Sequence, residues 1–175
     1  MNLAANRNPI LNSSINPLTN SSLNPRLNSA LNPRLNSALN PRLNSSLNPR
    51  YNININPRIN SYLNPHINSS INPQLNGTIN PLFNRTINPR LNSDFNGLYL
   101  FDLDNNPIAF IVQANDMVIQ IFNFDLENTM FGVLNSKEGY ALFNADNDFI
   151  GHLEADLKGG FNYFDIDNEW IGHVK

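Results

Sequence analysis

From Asn8 to Asn96 every fourth residue is asparagine, and from Pro9 to Pro89 every eighth is proline. These are (96−8)/4+1 = 23 asparagines and (89−9)/8+1 = 11 prolines, in an octad that reads L-N-P-R-L-N-S-A at its most regular, Leu31 to Ala38. So strict a period copies one local geometry along an axis and leaves no room for the varied residues of an active site. Helix is excluded, because each interior proline removes a backbone donor and clashes with the preceding turn at a cost of ~3 kcal/mol. Asn-Pro instead opens a β-turn: the Asn side chain can accept from the backbone two residues on, and proline presets φ at the next position. Asn-Ser supports the same turn more weakly, so each tetrapeptide is expected to close one turn.

The residues before each asparagine, from Leu11 to Phe95, are aliphatic or aromatic except at Thr19. They read as one continuous apolar line, which suits a narrow turn solenoid or a self-associating rod, with stacked Asn side chains available for amide ladders. A disordered Asn-rich tract is the alternative, but it gives no reason for aliphatics to keep register. Gly77 and the segments Asn52-Ile53-Asn54 and Phe83-Asn84-Arg85 change the octad without shifting its period.

Charge divides the chain at Asn96-Gly97. Residues 1–97 carry eight arginines and one acid, Asp94 (8−1 = +7), whereas 98–175 carry three lysines and thirteen acids (3−13 = −10). We therefore expect two domains, 1–97 and 98–175, the second large enough to fold alone. Arg26, Arg34, Arg42, Arg50, Arg58 and Arg90 follow prolines and would form a row along a stacked repeat. Such a row could bind an anionic polymer or an acidic protein surface, including the C-terminal part itself, or simply keep an apolar rod soluble. No aromatics are interleaved with it to stack bases, so no specific nucleic acid is implied.

The chain has no cysteine, so neither disulfides nor Cys-based metal sites arise. No signal peptide and no transmembrane segment is evident, which makes the cytoplasm the default location, with signal-independent export as another route. The Asn-x-Ser/Thr sequons follow automatically from the octad.

The C-terminal part repeats more loosely, as FDLDNNPIAFI from Phe101, FDLENTMFGVL from Phe124, FNADNDFIGHL from Phe143 and FDIDNEWIGHV from Phe164. In each, an acid-Asn pair lies between strand-like runs: Asp104-Asn105, Glu127-Asn128, Asp146-Asn147 and Asp167-Asn168. That is hairpin-turn chemistry, since Asn tolerates positive φ and Asp bonds its own turn. Four hairpins around a fourfold axis are expected. The acid pairs lack the glycine and final glutamate of a calcium loop. His152 and His173 occupy equivalent places, and a packed, hydrogen-bonded pair is the expectation over zinc. Neither a nucleophile triad nor a phosphate loop is present, so we expect no enzyme and no cofactor.

These hairpin copies, with the NPRLNS-type tract before them, resemble the bacterial 4-fold β-flower domain proteins, in which hairpin petals surround a short, shallow barrel. The resemblance is carried mainly by residues 98–175. It implies no catalytic residues, and likeness of that barrel to tubby-like and scramblase-like folds would suggest lipid binding. The sequence thus predicts an all-β protein: a β-turn solenoid or rod bearing a four-hairpin domain at its end. A structural or adhesive stalk that assembles into homo-oligomers or fibres is the leading function, with a ligand- or lipid-binding head on a flexible linker as the alternative.

Overall fold

The structure, a computed structural model, describes residues 3–175. It is all-β, and its C-terminal part is a closed antiparallel barrel in which the strands follow chain order. They are β1 (Tyr99–Asp102), β2 (Pro107–Gln113), β3 (Val118–Asn123), β4 (Asn128–Leu134), β5 (Tyr140–Phe143), β6 (Phe149–Ala155), β7 (Phe161–Asp165) and β8 (Trp170–Val174). Closure comes from β1 pairing with β8, Leu100 opposite Val174, so the barrel has no free edge. Strand alternation sends Leu100, Ile111, Ile119, Ile121, Leu142, Leu153 and Val174 to the interior, which they fill as one cluster. No helix among the described residues is long and apolar enough to cross a membrane.

The hairpins repeat at an even interval. The register shift that follows Leu100 recurs after Ile121, Leu142 and Tyr163, so the period is 121−100 = 142−121 = 163−142 = 21. Just beyond each bulge one side chain caps the turn: the Oδ1 of Asp102, Asn123, Asn144 and Asp165 accepts from the amides two and four residues on. The second copy therefore starts at Phe122 and not at Phe124, a correction of two positions. The sequence F-N-F-D offers two phenylalanines for one position, and Phe124-Asp125 imitates the Phe-Asp that opens the first and last copies.

The N-terminal repeat does not project away as a rod. It is a tight coil with one octad per turn, bent into a belt around the outside of the barrel. Within it, Asn side chains bond the backbone rather than one another, in place of the expected amide ladder. Asn48 is representative: its Oδ1 accepts from the Arg50 amide at 2.9 Å, while its Nδ2 donates to the Pro41 carbonyl in the preceding turn, also at 2.9 Å. Several of the Asn-Ser tetrapeptides close as 3₁₀ turns, such as Ser29–Leu31 and Ser37–Leu39.

The expected single apolar line is split in two by this winding. Residues before Asn-Pro face the barrel: Leu23, Leu31, Leu47, Ile55, Leu63, Ile71 and Ile79 are buried, as is Phe95 in the same phase before Asn96-Gly97. Those in the other phase, Leu27, Leu35, Leu43, Tyr51, Ile59, Ile67, Leu75 and Phe83 among them, face outward and are exposed. Most of the prolines are buried on the inner side, where a residue without an N–H leaves no donor to satisfy against an apolar wall. The inner row packs on the outward faces of the strands: Ile55, Leu63 and Ile71 join Val118, Phe131, Val133 and Phe143 in one core, and Ile79 and Phe95 join Tyr99, Phe101, Phe110 and Phe122 in another.

Belt and barrel are matched in length. Asn168 Nδ2 donates to Asn40 Oδ1 and Asn147 Nδ2 donates to Asn64 Oδ1, both at 3.3 Å, so a belt interval of 64−40 = 24 corresponds to a barrel interval of 168−147 = 21. Asn162 and Gln120 repeat the relation at twice the interval, donating to the Leu23 and Ile71 carbonyls (71−23 = 48, 162−120 = 42). Three octads thus span one hairpin, and the inner positions from 7 to 95 number (95−7)/8+1 = 12, four hairpins' worth. The belt circles the barrel against strand order and returns to its start. There Arg7, standing where other octads carry an inner aliphatic, donates to the carbonyl of Phe95 at 2.6 Å and to that of Gly97, and covers the Tyr99 ring at 5.1 Å.

Candidate functional site

The proline-side edge of the belt lies against the hairpin turns, and there the arginine row meets the acids. Arg34 pairs with Glu169, Arg42 with Asp167, Arg58 with Asp148 at 2.5 Å, and Arg90 with Asp125 at 3.9 Å. Arg26 lies over the Trp170 ring, 5.3 Å from its centroid. Only Arg50 of the six has neither a carboxylate nor a ring among the described residues. These pairs are half exposed or more, where an ion pair contributes roughly 0–1 kcal/mol, so they set orientation more than stability.

Two grooves open along this edge, between belt and hairpin turns. One, about 540 Å³, runs past Arg42, Arg50 and Arg58 over Phe143, Phe149 and Ile166. The other, about 430 Å³, is its counterpart one hairpin away, with His66, Gln74 and Leu82 where the first has arginines, and Phe122, Asp125 and Glu127 on the barrel side. Volumes of this size suit small organic molecules. The barrel axis itself is filled by side chains.

Among the turn residues, Asn105, Asn147 and Asn168 do take positive φ, at 62, 61 and 60°. The fourth such position is Leu126, φ 68°, and not Asn128, which begins β4; Glu127 follows the turn as Asn106, Asp148 and Glu169 do. Asp104, Asp146 and Asp167 stand at the turns as expected, exposed to solvent.

The two histidines are buried but do not touch as a pair. His152 stacks on Phe164 and lies 2.9 Å from Asn168 Oδ1; His173 stacks on Phe101 and lies 3.0 Å from Asn105 Oδ1. Each supports the turn of the next hairpin. In the corrected alignment Phe110 and Phe131 hold the same position, stacked on Phe122 and Phe143. Phe110 shares its core with apolar Leu126 of the following turn; by the 21-residue repeat the matching turn residue for Phe131 is Asn147, whose Oδ1 is buried without a partner among the described residues. Burial lowers His173 to about 4, with the Lys175 charge adding to the effect. The Glu154 carboxyl, 2.7 Å from His152 Nδ1, is raised by burial in spite of that contact. A further buried polar pair, Lys175 with Asp156, ties Lys175 to the β6–β7 turn.

Sequence reasoning missed Arg7, Gln120 and Asn162, whose roles appear only once belt and barrel meet. In comparisons with protein families, with characterised proteins and with solved structures, the chain matches none.

Proposed function

We propose that this chain is a non-enzymatic structural or adhesive protein that associates with copies of itself through the outer row of its repeat. The observation that carries this is the row itself: from Leu11 to Leu91 the outward octad positions hold Leu, Ile, Tyr or Phe at about 58–74% exposure, interrupted at Thr19. Large exposed side chains in a continuous row are uncommon on monomeric proteins and mark interaction surfaces. Under this reading the belt is a turn solenoid, and the barrel, with its evenly repeated hairpins, is a β-flower-type domain that sets the diameter of the ring. Analytical ultracentrifugation tests it. Association that rises with concentration in the native chain and is abolished by Leu35→Glu, Leu43→Glu and Ile59→Glu together supports the reading; a native chain that stays monomeric at high concentration overturns it.

A second reading, a ligand- or lipid-binding module, is favoured by the grooves between belt and turns. In that case the repeat is a wall of the binding site and not a flexible linker.

A further inference from the structure

The four quarters of the molecule are built alike, so their differences are informative. At the three edge positions facing one hairpin, the Phe143 quarter has Arg42, Arg50 and Arg58, whereas the positions three octads further along the belt hold His66, Gln74 and Leu82. The belt fold makes no demand here: Gln74 and Arg50 both donate a backbone amide to the Asn two residues before, at 2.8 and 2.9 Å. Asp167 neutralises Arg42 and Asp148 neutralises Arg58, leaving the central Arg50 guanidinium uncompensated (3−2 = +1). Its groove has an apolar floor, with Phe143 buried and Phe149 half-buried, and Ile166 along the side.

We propose that the Arg50 groove binds a small monoanion bearing an apolar body, an organic carboxylate, sulfonate or phosphate monoester monoanion. The guanidinium fork matches two oxygens of such a group, and among the described residues its five donors meet no carboxylate. The phenylalanine floor takes the hydrophobic part, and the flanking ion pairs fix the walls while adding no net charge. The sister groove, facing Asp125 and Glu127 with no arginine at the three positions, serves as an internal control.

This rests on the ligand-binding reading, and the test separates the two. The full chain is titrated with naphthalene-2-sulfonate and, in parallel, with neutral naphthalene-2-sulfonamide, followed by ¹H–¹⁵N spectra. The proposal expects saturable shifts at Arg50, Phe143, Phe149 and Ile166, and the sulfonate bound about tenfold or more tightly than the sulfonamide. Arg50→Gln should erase that preference. On the unaltered chain, raising salt from about 0.01 to 0.15 M should weaken the sulfonate alone, which keeps the test decisive if the variant folds poorly. Equal binding of both probes in this groove overturns the anion proposal but leaves the ligand reading standing. Shifts confined to the sister groove or the outer row overturn the proposal, and absence of binding by either probe overturns both.

Discussion

At the level of single residues, the asparagines are fixed by carrying two bonds at once. Asn48 closes its own turn as acceptor and ties it to the previous turn as donor. Aspartate can do only the first, so Asn48→Asp should lower unfolding free energy by about 1–3 kcal/mol, as read by urea denaturation. The turn positions of the barrel are similarly specific. Asn147→Val places a β-branched residue at φ 61°, and a loss of about 1 kcal/mol or more is expected. His173 also makes a pH prediction. Its folded value of about 4 lies below the ordinary histidine value of 6.5, so the unfolded chain binds the proton first, and stability falls as pH drops from 6.5 toward 4. The full loss for this group is about 3 kcal/mol. Denaturation curves at pH 7, 5.5 and 4.5 on native chain and His173→Phe should show a shallower decline in the variant over that range.

At the level of elements, a belt turn is only as stable as the wall it rests on. Most octads bury an inner aliphatic and a proline against the barrel and expose the other apolar position, so residues 1–97 alone would leave both rows in water. Much of this was legible in advance. The period dictated turns in place of helix, and the acid-Asn pairs located three of the four turns, at Asn105, Asn147 and Asn168. The misplacement of the fourth has a local cause, since Leu126 occupies a backbone region where leucine is a poor fit and the neighbouring Glu127-Asn128 imitates the motif. The division of the apolar residues into inner and outer rows was not read from the sequence, because Leu appears in both; the mark that separates them is the proline, which follows the inner residue's Asn and is buried against the barrel, and its meaning depends on there being an apolar wall for the repeat to lie on. The arginine row was legible as a row, but which member would be left uncompensated depended on acids in the other part of the chain. One octad is also a unit of register: deleting 41–48 displaces every contact on one side of the cut by a whole octad, against a match of three octads per hairpin. It should abolish the cooperative thermal transition or lower the Tm by well over the roughly 4 °C that about 1 kcal/mol produces at most in a chain of this size.

At the level of the whole molecule, closure depends on a count: twelve octads, three per hairpin, surround four hairpins, with Arg7 meeting Phe95 and Gly97 at the seam. Repeat number is then set by the barrel's circumference, and the charges that divide the sequence into a basic and an acidic part face each other inside one chain. The absence of native cysteine allows the closure to be measured directly. Spin labels at Ala5→Cys and Ser93→Cys, read by double electron–electron resonance on dilute protein, should give one narrow distance distribution below about 30 Å, since the two sites flank the seam where the ends of the belt lie within a few turn spacings of each other. An extended rod of eleven octads, at about 4.8 Å per hydrogen-bonded turn, would separate them by roughly 50 Å, and a distribution centred there or spread broadly would contradict the belt.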